Sequence, residues 1–244
     1  MQQSADISAM IFAAGLGTRF KPWTNRHPKA LAIINGKSLL QRNIEYLQQA
    51  GIYDVVVNVH HFSDQILQAI EKNKGWGSRI AISDETNEVL ETGGGLKKAA
   101  PLLPAETIVV INVDILTDLN LEKMIHFHLS QQPLATLASS NRTTSRYFLF
   151  DEQDHLCGWR NVNTGEEKIS RKTTTVVPKA FSGIHVINKR LLSLLKKEGR
   201  FSMVDAYLEL ASTEIICSFD HSGSKFIDVG KPESVAKAEA MFPL

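Results

Sequence analysis

The first half of the chain alternates short apolar runs with segments whose apolar residues recur at helical spacing. The runs SAMIFAA, DVVVNVH, RIAIS and TIVVIN predict buried strands, because each is short, mostly apolar and bounded by polar or turn-forming residues. Strands that alternate with amphipathic helices are typical of βαβ units and of a mainly parallel sheet. The predicted strands cover residues 8–14, 54–60, 79–83 and 107–112.

Three helices are predicted between these strands. Ser38 begins the first, where Gln41 completes a capping box, and Gly51 ends it after a stripe of leucine and isoleucine. Ser63 is predicted to cap the second helix. The third, GLKKAAPLL, is predicted to begin after a run of three glycines at residues 93–95.

The second half of the chain alternates less regularly, which predicts an α+β arrangement. Helices are expected at 121–130, 189–197, 204–211 and from Pro232 in a first turn; strands are expected at 134–140, 146–150, 157–160, 173–178, 181–187 and 224–230. We find no repeat and no long linker. The pattern as a whole predicts one α/β domain over residues 1–244, with a doubly wound, mixed, mainly parallel sheet.

Composition narrows the classes of partner. The 244 residues include 27 basic and 26 acidic ones, so the net charge of +1 argues against nucleic acid or an anionic membrane as the main partner. Cys157 and Cys217 form neither a disulfide framework nor a metal-ligand spacing, which favours a reducing compartment. The N-terminal segment resembles a strand more than a signal peptide, and no run approaches a membrane span. We expect a soluble cytoplasmic protein; the sequence predicts no oligomeric state.

The charge is unevenly distributed along the chain. No acidic residue lies between Asp6 and Glu45, whereas six basic residues do, which indicates either an anion-binding segment or a solvated basic loop. Gly15 and Gly17 follow the first strand there, and such a loop lets backbone N–H groups converge on phosphate. The dinucleotide fingerprint would need a third glycine where Phe20 stands, and the P-loop motif is absent. A structural tight turn remains the alternative.

The stretch AAGLGTRFKPWTNRHPKAL resembles the signature of the sugar-1-phosphate nucleotidyltransferases. The resemblance implies a Rossmann-like nucleotidyltransferase fold whose glycine-rich loop holds an NTP, with Arg19 and Lys29 as catalytic cations that neutralise its phosphates. It also implies a nucleotide-binding part at about residues 1–120 and a sugar-binding part at about 121–244. The matching residues are Ala13, Ala14, Gly15, Gly17, Thr18, Arg19, Pro22, Thr24, Pro28 and Lys29.

A second motif, LETGGGLKKA, contains three consecutive glycines. Glycine is entropically costly, so the run indicates either a close approach of backbone to a flat ligand or a tight helix entry. The ETGGG form is similar to the N-acetylmuramate 1-phosphate uridylyltransferase branch of the family, where this region contacts the base. The resemblance implies that Glu91, Gly93, Gly94 and Asn112 bind nucleotide.

Two aspartates stand at predicted strand ends. Asp114 follows the apolar strand TIVVIN, and Asp228 ends the segment KFID. Ligands bind at the carboxyl ends of strands in open α/β sheets, and Mg²⁺ takes one or two carboxylates together with substrate phosphates. For either aspartate alone a turn or cap role is the alternative, as we expect for Asp118 and Asp220. Both match metal-binding positions in the family, so the resemblance implies Mg²⁺ held by Asp114 and Asp228.

Some positions depart from the family pattern. Val113 replaces a common glycine, which puts the fine placement of the nucleotide in question, and His27 replaces a small hydroxyl residue. FSGI resembles the family at a point where backbone approaches the sugar, so Gly183, and less strongly Asn141, are expected to contact the sugar phosphate. The histidine pairs lack metal spacing, and no nucleophile elbow occurs.

These features together predict an enzyme. A sugar 1-phosphate is already dianionic near neutral pH, so it needs charge compensation and alignment rather than a general base. The resemblance implies that UTP and N-acetylmuramate 1-phosphate give the UDP-sugar and pyrophosphate, in cell-wall sugar recycling. The alternatives are thymidylyl, guanylyl or cytidylyl transfer to another phosphorylated sugar or small alcohol, and a catalytically silent nucleotide-sugar-binding regulator.

Overall fold

The computed structural model describes residues 6–243, which form fourteen β-strands, seven α-helices and several short 3₁₀ turns. The strands are β1 (Ile7–Phe12), β2 (Ile33–Ile34), β3 (Lys37–Ser38), β4 (Asp54–Val59), β5 (Arg79–Asp84), β6 (Thr107–Asn112), β7 (Ile115–Thr117), β8 (Ala135–Ser140), β9 (Arg146–Phe150), β10 (Leu156–Asn161), β11 (Glu167–Ile169), β12 (Val177–Asn188), β13 (Ile216–Asp220) and β14 (Phe226–Asp228). The helices are α1 (Leu39–Gln49), α2 (Ser63–Lys72), α3 (Glu91–Ala99), α4 (Leu121–Gln131), α5 (Arg190–Leu194), α6 (Met203–Leu210) and α7 (Ser234–Met241).

A single large sheet organises the molecule. Its central strands lie in the order β13-β8-β12-β6-β1-β4-β5, and β9, β10 and β11 extend it from the first residues of β12. The neighbours β6, β1, β4 and β5 are parallel, as are β8 and β13, whereas β12 is antiparallel to both β6 and β8. The expected mixed, mainly parallel sheet is confirmed.

Helices cover both faces of this sheet, so the fold is doubly wound. In β1, Ala9 and Ile11 belong to the core under α1, α2, α4 and α7, while Met10 and Phe12 belong to the core under α3, α5 and α6. Strands buried on both faces are apolar at successive positions, which explains why the runs were recognisable in the sequence. The predicted cap of α1 is confirmed, because Ser38 Oγ accepts a hydrogen bond of 3.1 Å from the Gln41 amide.

Several predicted boundaries were wrong. Ser63 is the first residue of α2 and not its cap; Phe62 precedes it with a left-handed φ of 57°. The glycine run lies inside α3, which begins at Glu91. Residues 173–176 are not a strand, and Val177 starts the long strand β12, which also contains the separately predicted FSGIHVI segment. The last helix begins at Ser234, after the proline.

Five strands were not predicted from the sequence, namely β2, β3, β7, β11 and β13. Of these, β13 forms the far edge of the large sheet beside β8. β14 was predicted as a strand, but it pairs with the short strand β7 in a separate two-stranded sheet. That pairing brings residues 226–228 next to residues 115–117. Within residues 6–243, no helix is long and apolar enough to cross a bilayer.

Candidate functional site

The strand directions place six strand ends at one edge of the sheet. β5, β4, β1, β6, β8 and β13 run the same way, so their carboxyl ends meet at this edge, where ligands bind in open α/β sheets. A cavity of about 380 Å³ opens there between the ends of β1, β4, β5 and β6 and the start of α3. It is lined by Phe12, Ala13, Ala14, Gly15, Lys29, Asn58, Glu85, Val89, Glu91, Thr92, Asn112, Val113 and Asp114.

The glycine-rich loop leaves β1 at the floor of this cavity. The amides of Ala13 and Ala14 donate to Asn58 Oδ1, at 2.7 and 3.3 Å, so the structure uses these two donors internally rather than leaving them for a ligand. Gly15 lines the cavity with open space where a Cβ would stand. Gly17 has a left-handed φ of 58°, and a Cβ there would lie 2.8 Å from Cγ2 of Thr24.

Thr24 holds the glycine-rich loop through a hydrogen bond to Gly17. It is buried, and its hydroxyl donates to the Gly17 carbonyl at 2.9 Å. Thr18 and Arg19 follow in a short 3₁₀ turn, exposed and outside the cavity lining. Arg19 nevertheless reaches the aspartate segment, because a Cβ on Gly230 would lie 3.1 Å from Arg19 Nη2.

The predicted lysine and the two predicted aspartates lie close together beside the cavity, which Lys29 and Asp114 line and Asp228 does not. The ammonium of Lys29 forms an ion pair with a carboxylate oxygen of Asp114, and both side chains are only 14% exposed. The pairing of β14 with β7 aligns Asp228 with Ile115, and the Val229 amide donates to the Asp114 carbonyl at 2.8 Å. Residues 114 positions apart in sequence are thereby brought together.

The charges around Asp228 act in opposite directions. Partial desolvation and the neighbouring charge of Asp114 raise the pKa of Asp228 above its usual value, although Lys29, Arg19 and Arg142 act to lower it. A divalent cation would relieve the repulsion between the two carboxylates. Within residues 6–243 no cluster of three or more acidic, histidine or cysteine side chains is arranged for a metal. Two carboxylates with open space for phosphate oxygens fit Mg²⁺, which binds few protein ligands.

A buried carboxylate at this edge escaped the sequence reasoning. Glu85 follows β5 and is 1% exposed; its Oε1 accepts from Asn58 Nδ2 at 2.7 Å, and its Oε2 accepts from the Leu90 amide at 3.1 Å. Asn58 therefore links the glycine-rich loop to the segment before α3. The signal that could have revealed it is an asparagine inside the valine run DVVVNVH, since a buried amide needs partners.

The three glycines of α3 are explained by contacts within the protein. A Cβ on Gly93 would meet the Phe201 ring at 2.3 Å, one on Gly94 would meet the Gly199 carbonyl oxygen at 2.1 Å, and one on Gly95 would meet Glu85 at 2.7 Å. The amides of Gly93 and Gly94 donate to the Phe201 carbonyl at 2.8 and 3.2 Å. The structure therefore does not bring Gly93 and Gly94 into the cavity lining, and a packing role accounts for them.

Glu91, in contrast, does line the cavity. It takes a left-handed φ of 58°, and its carboxylate accepts from Arg200 Nε at 2.8 Å. Thr92 beside it also lines the cavity, and its hydroxyl accepts from the Met203 amide at 2.9 Å. These contacts attach the start of α3 to the segment before α6.

The predicted sugar-side residues lie on β12 and after β8. Gly183 has a φ of 73° within an irregularity of β12, and a Cβ there would lie 2.7 Å from Nδ2 of Asn112. Asn141 is exposed, and its amide donates to Ser222 Oγ at 3.0 Å. Val113 is buried in the hydrophobic core and also lines the cavity, and its amide donates to the Phe12 carbonyl at 3.2 Å.

The described part of the chain contains a larger cavity, of about 500 Å³, between α1, β7 and the start of α4. None of the predicted site residues lines it. The two predicted loop aspartates have the expected structural roles: Asp118 accepts from the Lys225 amide at 2.7 Å, and Asp220 accepts from the Ser222 amide at 2.9 Å.

Comparisons with known proteins place the chain in a family. The family model described as nucleotidyl transferase matches residues 8–242. The N-acetylmuramate alpha-1-phosphate uridylyltransferase of Caulobacter vibrioides is 32% identical over 250 residues, covering 98% of each chain. The D-glycero-alpha-D-manno-heptose 1-phosphate guanylyltransferase of Campylobacter jejuni is 29% identical over 93% of this chain and 96% of its own length. The structure of HddC from Yersinia pseudotuberculosis complexed with GMP-PN superposes with a TM-score of 0.74 at 25% identity, covering 96% of this chain and 98% of that one.

Proposed function

The chain belongs to the nucleotidyl transferase family, and on that premise we propose that it transfers the uridylyl group of UTP to N-acetylmuramate 1-phosphate, releasing pyrophosphate. The activity of a sugar-1-phosphate nucleotidyltransferase is supported by relatives that span almost the whole chain. The choice of UTP and of this sugar rests on the Caulobacter relative and on one from Neisseria meningitidis that bears the same name and is 40% identical over 114 residues.

One observation carries the proposal: Lys29, Asp114 and Asp228 converge beside a cavity whose floor is the glycine-rich loop. Transfer of a nucleotidyl group brings two anions together, so the site must compensate negative charge before it can align the reactants. The cations and carboxylates found here are the groups this task requires. We propose that residues 1–120 supply the nucleotide site, and that Gly183 and the rest of residues 121–244 supply the sugar site.

The reaction proceeds by displacement at the α-phosphorus. A phosphate oxygen of the sugar 1-phosphate forms a bond to this phosphorus, while the bond from the phosphorus to the bridging oxygen of pyrophosphate breaks. The nucleophile is already ionised near neutral pH, so no residue needs to take a proton. Lys29 and Arg19 stabilise charge on the phosphates and on the departing pyrophosphate. Mg²⁺ bound by Asp114 and Asp228 would supply Lewis-acid neutralisation of the phosphate oxygens.

The test is a matrix of nucleotides against sugar phosphates. Purified protein with Mg²⁺ is given each of UTP, GTP, CTP and dTTP with each of several sugar 1-phosphates, and pyrophosphate release is measured. We expect the highest kcat/KM for UTP with N-acetylmuramate 1-phosphate. Release from no pair in the matrix would refute the enzymatic assignment, and a higher kcat/KM for another pair would refute the substrates.

A second candidate is guanylyl transfer to a heptose phosphate. It is favoured by the Campylobacter relative and by the Yersinia structure with GMP-PN, both of which cover nearly the full chain. Competition of UTP with GTP in a single reaction separates the two. Cys157 and Cys217 are both free and buried, and we place the reaction in the cytoplasm, in the recycling of cell-wall sugars.

A further inference from the structure

Arg142 lies at the same edge of the sheet as the candidate site, and no individual role has been assigned to it above. It follows β8, whose carboxyl end points the same way as those of β1 and β6. Its Nη2 donates to the carbonyl of Phe181 at 2.7 Å, and its guanidinium carbon lies 4.9 Å from the centre of the Phe226 ring. Phe226 is two residues before Asp228, so Arg142 lies beside the strand that carries this aspartate.

The charge of Arg142 is incompletely compensated. Its Nε is buried, and no atom of residues 6–243 accepts a hydrogen bond from it. Arg142 and Asp228 influence each other's charge without forming an ion pair, and Asp228 is also the neighbour of Asp114 and Lys29. Burial lowers the pKa of Arg142, the direction expected when a cation is desolvated without a full partner. Such an arrangement is costly unless an anion completes it.

We propose that Arg142 binds the phosphate of the acceptor, the sugar 1-phosphate, and so positions the attacking oxygen beside the metal carboxylates. The inference rests on the proposed function. A guanidinium presents several donors in a planar fork that matches phosphate oxygens, and one of its donors already holds the Phe181 carbonyl. Within residues 6–243 the Phe181 carbonyl is the one acceptor bonded by Arg142, which leaves the Nη1 group and the second Nη2 hydrogen for the ligand. The function proposed above assigns the other two cations near Asp228, Arg19 and Lys29, to the nucleotide phosphates.

Backbone geometry near Arg142 supports an acceptor role. The Phe181 carbonyl and Gly183 lie in the irregular part of β12, where the pairing with β8 shifts between Phe181 and His185. Arg142 therefore braces the segment that is expected to approach the sugar. If Arg142 had only a structural role, its hydrogen bond to the Phe181 carbonyl would be its whole function. Its replacement would then affect all substrates alike, whatever the chemistry of the acceptor.

The experiment compares the steady-state kinetics of the wild-type protein and of Arg142→Met, with N-acetylmuramate 1-phosphate and UTP in the forward direction and with pyrophosphate in the reverse. Methionine retains much of the apolar stem over Phe226 and removes the charge. We expect the KM for the sugar phosphate to rise by about 10- to 100-fold, the loss typical of a hydrogen bond to a charged group. The KM values for UTP and pyrophosphate should stay within about twofold, and Arg142→Lys should recover part of the affinity.

The matched control is Arg171→Met. Arg171 Nη2 also donates to a backbone carbonyl, that of Glu214 at 3.2 Å. This contact lies near the start of β13, at the amino ends of the parallel strands, whereas the candidate site lies at their carboxyl ends. It should leave all three KM values unchanged. Equal rises for UTP and for the sugar phosphate in Arg142→Met would indicate a structural role and overturn the proposal.

Two competitive inhibitors distinguish phosphate from the lactyl carboxylate of the acceptor. Inhibition by N-acetylglucosamine 1-phosphate, which has only the phosphate, should weaken at least about tenfold in Arg142→Met. Inhibition by free N-acetylmuramate, which has only the carboxylate, should be unchanged. The reverse pattern would overturn the assignment to phosphate. If the wild-type protein turns over while Arg142→Met keeps its acceptor KM, this inference alone fails. If the wild-type protein turns over no pair of substrates, the proposed function fails and this inference falls with it.

Discussion

Replacing Gly17 by alanine tests whether the glycine-rich loop is held in one strained conformation. An alanine in the left-handed region that Gly17 occupies, with φ at 58°, is destabilised by about 1–2 kcal/mol relative to glycine. Its Cβ would also lie 2.8 Å from Cγ2 of the buried Thr24, and overpacking of this kind costs about 1–3 kcal/mol. The smaller entropy of the unfolded alanine chain returns about 0.4–1 kcal/mol. We therefore expect Gly17→Ala to lower the free energy of unfolding by about 2–3 kcal/mol.

A double-mutant cycle in urea separates the two causes. Thr24→Ser removes the Cγ2 methyl and keeps the hydroxyl that bonds the Gly17 carbonyl. In the Thr24→Ser background, Gly17→Ala should cost about 1 kcal/mol less than in the wild type. The remaining cost should come from the backbone strain and from the contact with Lys29 Cβ at 3.3 Å. A stability of Gly17→Ala equal to that of the wild type, or a coupling energy of zero, would refute this account of the loop.

Gly15→Ala is the functional counterpart. Nothing lies within 4 Å of a Cβ at Gly15, and its φ is not in the left-handed region, so the free energy of unfolding should change by less than about 0.5 kcal/mol. The methyl would occupy the cavity that Gly15 lines, and we expect the KM for UTP to rise by about tenfold, about 1.4 kcal/mol of binding. Gly223→Ala, also unobstructed but outside the cavity lining, should change neither quantity. An unchanged KM in Gly15→Ala would show that the nucleotide lies elsewhere.

Three further predictions follow from buried contacts. Gly94→Ala should lower the free energy of unfolding by about 3 kcal/mol in urea, because its Cβ would meet the Gly199 carbonyl at 2.1 Å; wild-type stability would contradict the packing role. Asn58→Leu should lower the free energy of unfolding by about 1–3 kcal/mol and raise the KM for UTP, because Glu85 and the loop amides lose their hydrogen-bond partner. A KM equal to the wild-type value would show that Asn58 does not position the loop for the nucleotide. Burial lowers the pKa of His128 from 6.5 to about 4, so the unfolded chain binds the extra proton between these values and stability falls as pH drops through them. Between pH 7 and pH 5 this amounts to about 2 kcal/mol, and His128→Gln should lose that part of the pH dependence measured by urea unfolding.

The sequence predicted best those elements whose structure depends on neighbouring residues alone. β1 and β6 were predictable because strands buried on both faces leave unbroken apolar runs, and the α1 cap was predictable from two residues three positions apart. β13 was not predicted, because its segment ICSFD is short and half polar, and its place is decided by the neighbouring strand β8. The glycine run was interpreted as a close approach to a flat ligand or as a helix entry, because its neighbours Phe201 and Gly199 lie about a hundred residues away in sequence.

In the candidate site, too, residues in local motifs were predictable and residues whose environment depends on distant contacts were not. Lys29 and Asp114 were recognisable from motifs, and the structure brings their side chains together in an ion pair. Glu85 escaped notice because an acidic residue before a loop looks like a solvated charge until its burial is known. Arg142 escaped because nothing in the sequence shows that a guanidinium loses solvent and lacks a counter-ion. Contacts between segments that are distant in sequence determine both the burial of Glu85 and the incomplete charge compensation of Arg142.

The central claim is that Asp114 and its neighbours form a metal-dependent centre for nucleotidyl transfer. The most direct measurement is pyrophosphate release from UTP and N-acetylmuramate 1-phosphate with Mg²⁺, for the wild type, for Asp114→Asn and for the control Asp118→Asn. The side chain of Asp118 caps the Lys225 amide and lies outside the lining of the candidate cavity. We expect the wild type and Asp118→Asn to turn over alike, and Asp114→Asn to lose about 100-fold or more in kcat with an unchanged urea midpoint. Turnover by Asp114→Asn at the wild-type rate would contradict the account.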